Sequence, residues 1–147
     1  MPDESSLATI RAVVETIVPP GGGQPGAAEL GVERHVAGLI EQLFPGFVDL
    51  MAMLLDAYAA DVRQGALFVE LETEERGTVL RTMSMEGEGT QDMRDAVDAL
   101  MVFTLGGVYS EWSGYDRDAG ALTPPASWKA MGYHGPVAGH PRYREGV

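Results

Sequence analysis

The chain has 147 residues, 45% of them hydrophobic, a formal net charge of −12 and no cysteine. That length and apolar content support one domain with its own core and leave no room for separate nucleotide and substrate domains. The acidic balance argues against an electrostatic grip on nucleic acid or on an anionic membrane, and the missing thiols exclude disulfides, zinc ribbons and cysteine nucleophiles.

The opening M-P-D-E-S-S is acidic, with neither the basic nor the apolar region of a leader. As written, the sequence predicts a cytoplasmic protein; a periplasmic location would require export with a partner or the removal of a leader. No apolar run approaches the ~20 residues that span a bilayer, so direct membrane insertion is not expected.

Leu7, Ile10, Val14 and Ile17 recur at helical spacing behind Ser5 and Ser6, which can accept from the free amides of a first turn. Pro19 and Pro20 close this helix. The loop that follows, P-P-G-G-G-Q-P-G-A, holds Gly21, Gly23 and Gly26 at the spacing of a dinucleotide-binding fingerprint. Such a loop must follow a strand and present its amides to phosphate. Here a helix precedes it and Pro25 removes one amide. The stretch reads as a glycine-rich connector, with Pro25, Gly26 and Ala27 starting the second helical element.

Val32, Val36, Leu39, Ile40 and Leu43 form the next apolar face, up to Phe44. Pro45 is expected in the first turn of a third helix carrying Phe47, Leu50, Met51, Leu54, Leu55 and Tyr58, which fades near Gln64 and Gly65. An acidic turn at Glu72–Glu75 precedes Val79, Leu80 and Met83. Thr90 then caps a long helix in which Met93, Val97, Leu100, Met101, Thr104 and Val108 share a face. Gly106 and Gly107 either weaken that helix or admit another backbone closely. No period-two alternation or hairpin pattern occurs. The expected fold class is all-α: a compact bundle of about five helices over residues 1–113, followed by an irregular, aromatic, Gly/Pro-rich arm over residues 114–147 of the same domain.

Recognised chemistry is absent from the motifs. None of His35, His134 and His140 stands three residues after a Glu, as a helical di-iron site requires, and H-E-x-x-H does not occur. Glu86, Glu88, Asp92 and Asp95 lack the alternating ligands and closing Glu of an EF-hand. There is no G-x-S-x-G and no S-x-x-K. No catalytic, cofactor-binding or metal-ligating residue is assigned.

The arm differs in texture from the body. Trp112, Trp128, Tyr109, Tyr115, Tyr133 and Tyr143 all fall within the last 39 residues, and Lys129, Arg142 and Arg144 against Glu145 give residues 129–147 a net charge of +2, leaving −14 for residues 1–128. Two readings stand. The aromatics fold back over a core whose own aromatics are Phe44, Phe47, Tyr58, Phe68 and Phe103, or they form a partner interface, where Trp, Tyr and Arg dominate binding energy.

The blocks L-A-T-I-R-A-V-V-E-T-I-V-P-P, P-G-A-A-E-L-G-V and H-V-A-G-L-I, with W-K-A-M-G-Y-H-G-P near the end, resemble the gluconate 2-dehydrogenase subunit 3 family. The resemblance implies a non-catalytic small subunit. It would stabilise and assist the folding and export of a large FAD-dependent subunit of the glucose-methanol-choline oxidoreductase type, often with a cytochrome c subunit as electron acceptor. No cofactor is expected in this chain; FAD belongs to the partner. The expected partner interface comprises Trp112, Tyr115, Trp128 and Lys129, together with Gly132, Tyr133, Gly135 and Pro136. The twin-arginine leader common in the family is not seen here, which leaves the electron acceptor open. The alternative is a stand-alone helical enzyme or small-molecule binder with a pocket under the arm and His134 or His140 as base.

Overall fold

Asp3 starts the first helix, not Ser5 or Ser6: its carboxylate accepts from the Ser6 amide at 2.6 Å and from the Ser5 hydroxyl at 2.8 Å. These bonds stabilise the ionised form and hold the Asp3 carboxyl below its ordinary pKa. In the computed structural model, which describes residues 2–85, 90–110, 115–116, 120–122 and 126–133, this helix, α1, spans Glu4–Ile17. It is followed by α2 (Val32–Leu43), α3 (Phe47–Val62), a 3-10 turn (Phe68–Glu70), α4 (Thr73–Ser84), α5 (Gln91–Tyr109) and α6 (Ala126–Met131).

The all-α expectation holds, with two additions in the arm. One is α6. The other is a minimal antiparallel pair, β1 (Tyr115–Asp116) and β2 (Ala121–Leu122), with Tyr115 opposite Leu122. Two-residue strands are too short to display alternation, which is why the sequence showed no hairpin.

α1 is the central element and packs against α2, α3, α4, α5 and the 3-10 turn. Its Ile10, Val13 and Val14 are completely buried. Val36 and Ile40 of α2, Met51 and Leu55 of α3, Val79 and Met83 of α4, and Val97 and Leu100 of α5 close around it in one cluster. Phe68 plugs the α3–α4 connection and is fully buried. Its amide donates to Asp56 Oδ1 at 2.8 Å. Arg76 of α4 donates to the Val69 carbonyl and to Glu15 of α1, both at 2.9 Å, tying three elements together.

The glycine loop folds on itself. Gly22 and Gly23 have φ of +59° and +77°, and Gly21 and Gln24 exchange backbone hydrogen bonds of 3.1 and 2.9 Å across them. Two consecutive left-handed residues between paired neighbours make a tight hairpin-type turn that glycine adopts without steric cost. The Gly26 amide donates to Glu29 Oε2 at 2.8 Å, so a carboxylate occupies the place a phosphate would need. A Cβ on Gly26 would stand 2.7 Å from the Pro20 nitrogen.

Two boundaries in this part of the chain differ from the sequence reading. Residues 26–31 form successive turns, and α2 begins only at Val32, after Gly31 at φ +70°. Pro45 precedes α3 instead of opening it; the helix starts after Gly46, and Glu41 accepts from the Gly46 and Val48 amides at 3.1 and 3.3 Å. A carboxylate one helix upstream thus meets the positive end of α3. Thr90 does cap α5, accepting from the Met93 amide at 3.3 Å.

Some apolar residues face outward. Leu43, Leu50 and Met101, expected on inner faces, are exposed, while Val48 and Ala59 are buried in α3. A helix apolar on most sides has no single inner face by periodicity, and its neighbours select one. The 116° turn between α2 and α3 makes that selection here. Among the described residues no single helix is long and apolar enough to cross a membrane.

Candidate partner interface

From Ala99 to Ser110 the sequence of α5 and its cap contains no charged residue. Leu100, Thr104, Gly107 and Val108 turn inward and are buried. The remaining apolar residues have nowhere to go but out: Val102 is 64% exposed, and Met101, Leu105 and Tyr109 are exposed beside it. These four side chains fall within about 100° of one another around the helix, an exposed apolar stripe with the character of a contact face.

Gly107 makes the inner side of α5 possible. A Cβ there would lie 2.6 Å from Val32 Cγ1 and 3.0 Å from His35 Cδ2. The close approach seats α2 against the last turns of α5. Burial beside this contact pushes the His35 imidazole below its ordinary pKa.

The arm covers the end of α5. Ser127 donates its hydroxyl to the Val108 carbonyl at 2.6 Å, and Trp128 donates its indole N–H to the Tyr109 carbonyl at 2.9 Å. Both acceptors are carbonyls of the final turn, which has few intrahelical partners. Trp128 is 5% exposed, and Tyr133 meets its ring edge-on at a centroid distance of 5.0 Å. Tyr133 closes the small helix through its amide, which donates to the Trp128 carbonyl at 2.8 Å.

The predicted interface residues therefore separate. Trp128 folds back on the body, as the capping reading described. Lys129, Gly132 and Tyr133 are exposed next to it, and Gly132 takes φ +70° in the turn after α6. Tyr115 lies in β1. Trp112, Gly135 and Pro136 lie outside the described residues, as do His134 and His140 of the alternative reading.

A second feature adjoins the outer face of α5. Phe44, at the corner between α2 and α3, is 61% exposed instead of buried, and its ring lies 6.0 Å from that of Phe47. With Ala96, Ala99 and Phe103 these rings line an apolar groove of about 390 Å³ whose rim carries Asp92 and Asp95. Sequence reading assigned both Phe44 and Phe103 to the core; Phe103 does pack half-buried against it, and Phe44 does not. The uncharged run after Asp98 was the available clue that α5 has a second apolar face. Among the described residues no three His, Asp or Glu side chains converge as metal ligands would.

Compared with known proteins, residues 4–135 match the family model described as gluconate 2-dehydrogenase subunit 3. No curated protein and no solved structure matches the chain.

Proposed function

The chain belongs to the gluconate 2-dehydrogenase subunit 3 family, and on that premise we propose that it is the non-catalytic small subunit of a flavin-dependent alcohol- or sugar-oxidising complex. Its task in this reading is to bind a large catalytic subunit and stabilise that subunit's folded, FAD-loaded form. One observation carries the reading: the outer face of α5, with Val102, Leu105 and Tyr109 exposed, is an apolar surface left uncovered by the described residues on a chain of net charge −12. Burial of such a surface against another protein is favourable at about 25 cal/mol per Å² of apolar area. The arm supports the same side of the molecule, since Ser127 and Trp128 hold α6 against the end of α5 and leave Met131 and Tyr133 exposed there. A partner binding only the folded form of its subunit shifts that subunit's apparent stability by mass action.

The test is co-expression of the tagged chain with the large oxidoreductase subunit of its host. The expected result is co-purification and a flavin content that falls when Val102→Asp and Leu105→Asp are combined. Both side chains are exposed, so the isolated variant should remain folded, with only a small loss of stability from two carboxylates near the negative end of α5. A large subunit that is fully flavin-loaded and active without this chain would overturn the proposal.

A further inference from the structure

We propose that the groove between the α2–α3 corner and α5 receives a basic, apolar segment of the partner subunit, one that inserts large apolar side chains between Phe44 and Phe103 and sets Lys or Arg against Asp92 and Asp95. This inference rests on the subunit reading and specifies which surface and which partner chemistry it uses.

The groove is built from residues chosen for opposite reasons. Ala96 and Ala99, one helical turn apart, leave the surface of α5 low, while Phe44 and Phe47 stand up from the facing corner. The result is a trough of about 390 Å³ with mostly apolar walls, shaped for the side chains of an inserted turn. Val102, exposed one helical turn beyond Ala99, stands next to it on α5.

The rim selects the occupant. Asp95 accepts from the Gln91 side chain at 2.6 Å, and Asp92 lies in the first turn of α5, where the helix N-terminus favours a carboxylate. Neither takes part in the ion pairs found among the described residues, which join Arg11 to Glu33, Arg63 to Glu75 and Arg76 to Glu15. A purely apolar occupant would strip water from both carboxylates and return nothing. An occupant with cations at the edge repairs that loss and gains orientation. A second copy of this chain brings another −12 of charge, and anionic lipid is repelled in the same way. The charge balance thus favours apolar residues flanked by Lys or Arg, and the partner subunit is the proposed source; Arg142, Tyr143 and Arg144 of this chain are the competing segment that the test distinguishes.

The test uses the intact complex. A photo-crosslinking benzoylphenylalanine replaces Phe44 in the groove or, as a control, Met53, which is 70% exposed on α3. Crosslinks from position 44 should map to one partner segment with aromatic or branched residues next to Lys or Arg, and position 53 should give none there. Separately, Asp92→Asn with Asp95→Asn should weaken the complex about tenfold or more at low salt, with the difference shrinking as salt rises. Glu74→Gln, exposed in the first turn of α4, should change binding less than twofold. Undiminished binding by the double variant would overturn the proposal. So would crosslinks from position 44 that fall on residues 134–147 of the same chain, on a second copy, or on a partner segment without basic residues. If wild type forms no complex at all, it is the subunit reading that fails; if the complex forms and ignores the groove, only this inference fails.

Discussion

Gly106 and Gly107 are neighbours with opposite consequences. A Cβ on Gly106 meets nothing within 4 Å, whereas one on Gly107 would press on Val32 and His35. Gly106→Ala should therefore raise stability by about 0.5–1 kcal/mol, the helix-propensity difference. For Gly107→Ala the same gain is opposed by overpacking of about 1–3 kcal/mol against a fully buried, β-branched Val32. The expected outcome is a net loss of about 1–2 kcal/mol. Urea denaturation of the two variants measures both, and equal effects would refute the close contact. The sequence raised both possibilities for this glycine pair, weak helix or close approach, and had no means of distributing them. Spacing along one helix says nothing about how near the next one comes.

At the scale of elements, α6 and the end of α5 depend on each other. Ser127 and Trp128 satisfy the Val108 and Tyr109 carbonyls, and a buried carbonyl left without a partner costs about 1–3 kcal/mol. Ser127→Ala combined with Trp128→Phe should speed amide exchange in α6 and the last turn of α5 by about 5–30-fold. Protection in α1 and α4 should stay unchanged, because Ile10, Val13, Val79 and Met83 pack independently of the arm. A uniform change across the chain would contradict this local role. Element existence was readable where apolar spacing and a cap coincide, as in α1, α4 and α5. It was not readable in the arm, where α6 is six residues long and its hydrogen bonds run to another element. The candidate site was legible only in part: the aromatics of the arm adjoin the end of α5, but the exposed apolar face lies mainly on α5 itself.

The whole molecule is strongly acidic, and three ion pairs join its described residues, which include 17 Asp and Glu. Self-repulsion of this kind destabilises a compact chain and is screened by salt. Raising ionic strength from about 10 mM to about 150 mM should therefore raise the melting temperature of the isolated chain by roughly 4 °C, near 1 kcal/mol. Calorimetry checks this, and a melting temperature that falls with salt would refute it. The same charge bears on association: a partner that supplies cations relieves the repulsion, while another copy increases it.

By itself the sequence determined the helical class, the acidic character and the family, because spacing, caps, composition and residue blocks are local properties of the chain. It also ruled against phosphate binding at Gly21–Gly26, and the structure supplied the reason in the Gly26–Glu29 bond and the self-paired turn. Only the tertiary structure decided which apolar residues stay outside. Phe44, Val102 and Leu105 have the same chemistry as the core residues beside them. What separates them is the turn between α2 and α3 and the close seat at Gly107, which together use up one face of α5 and leave the other for a partner.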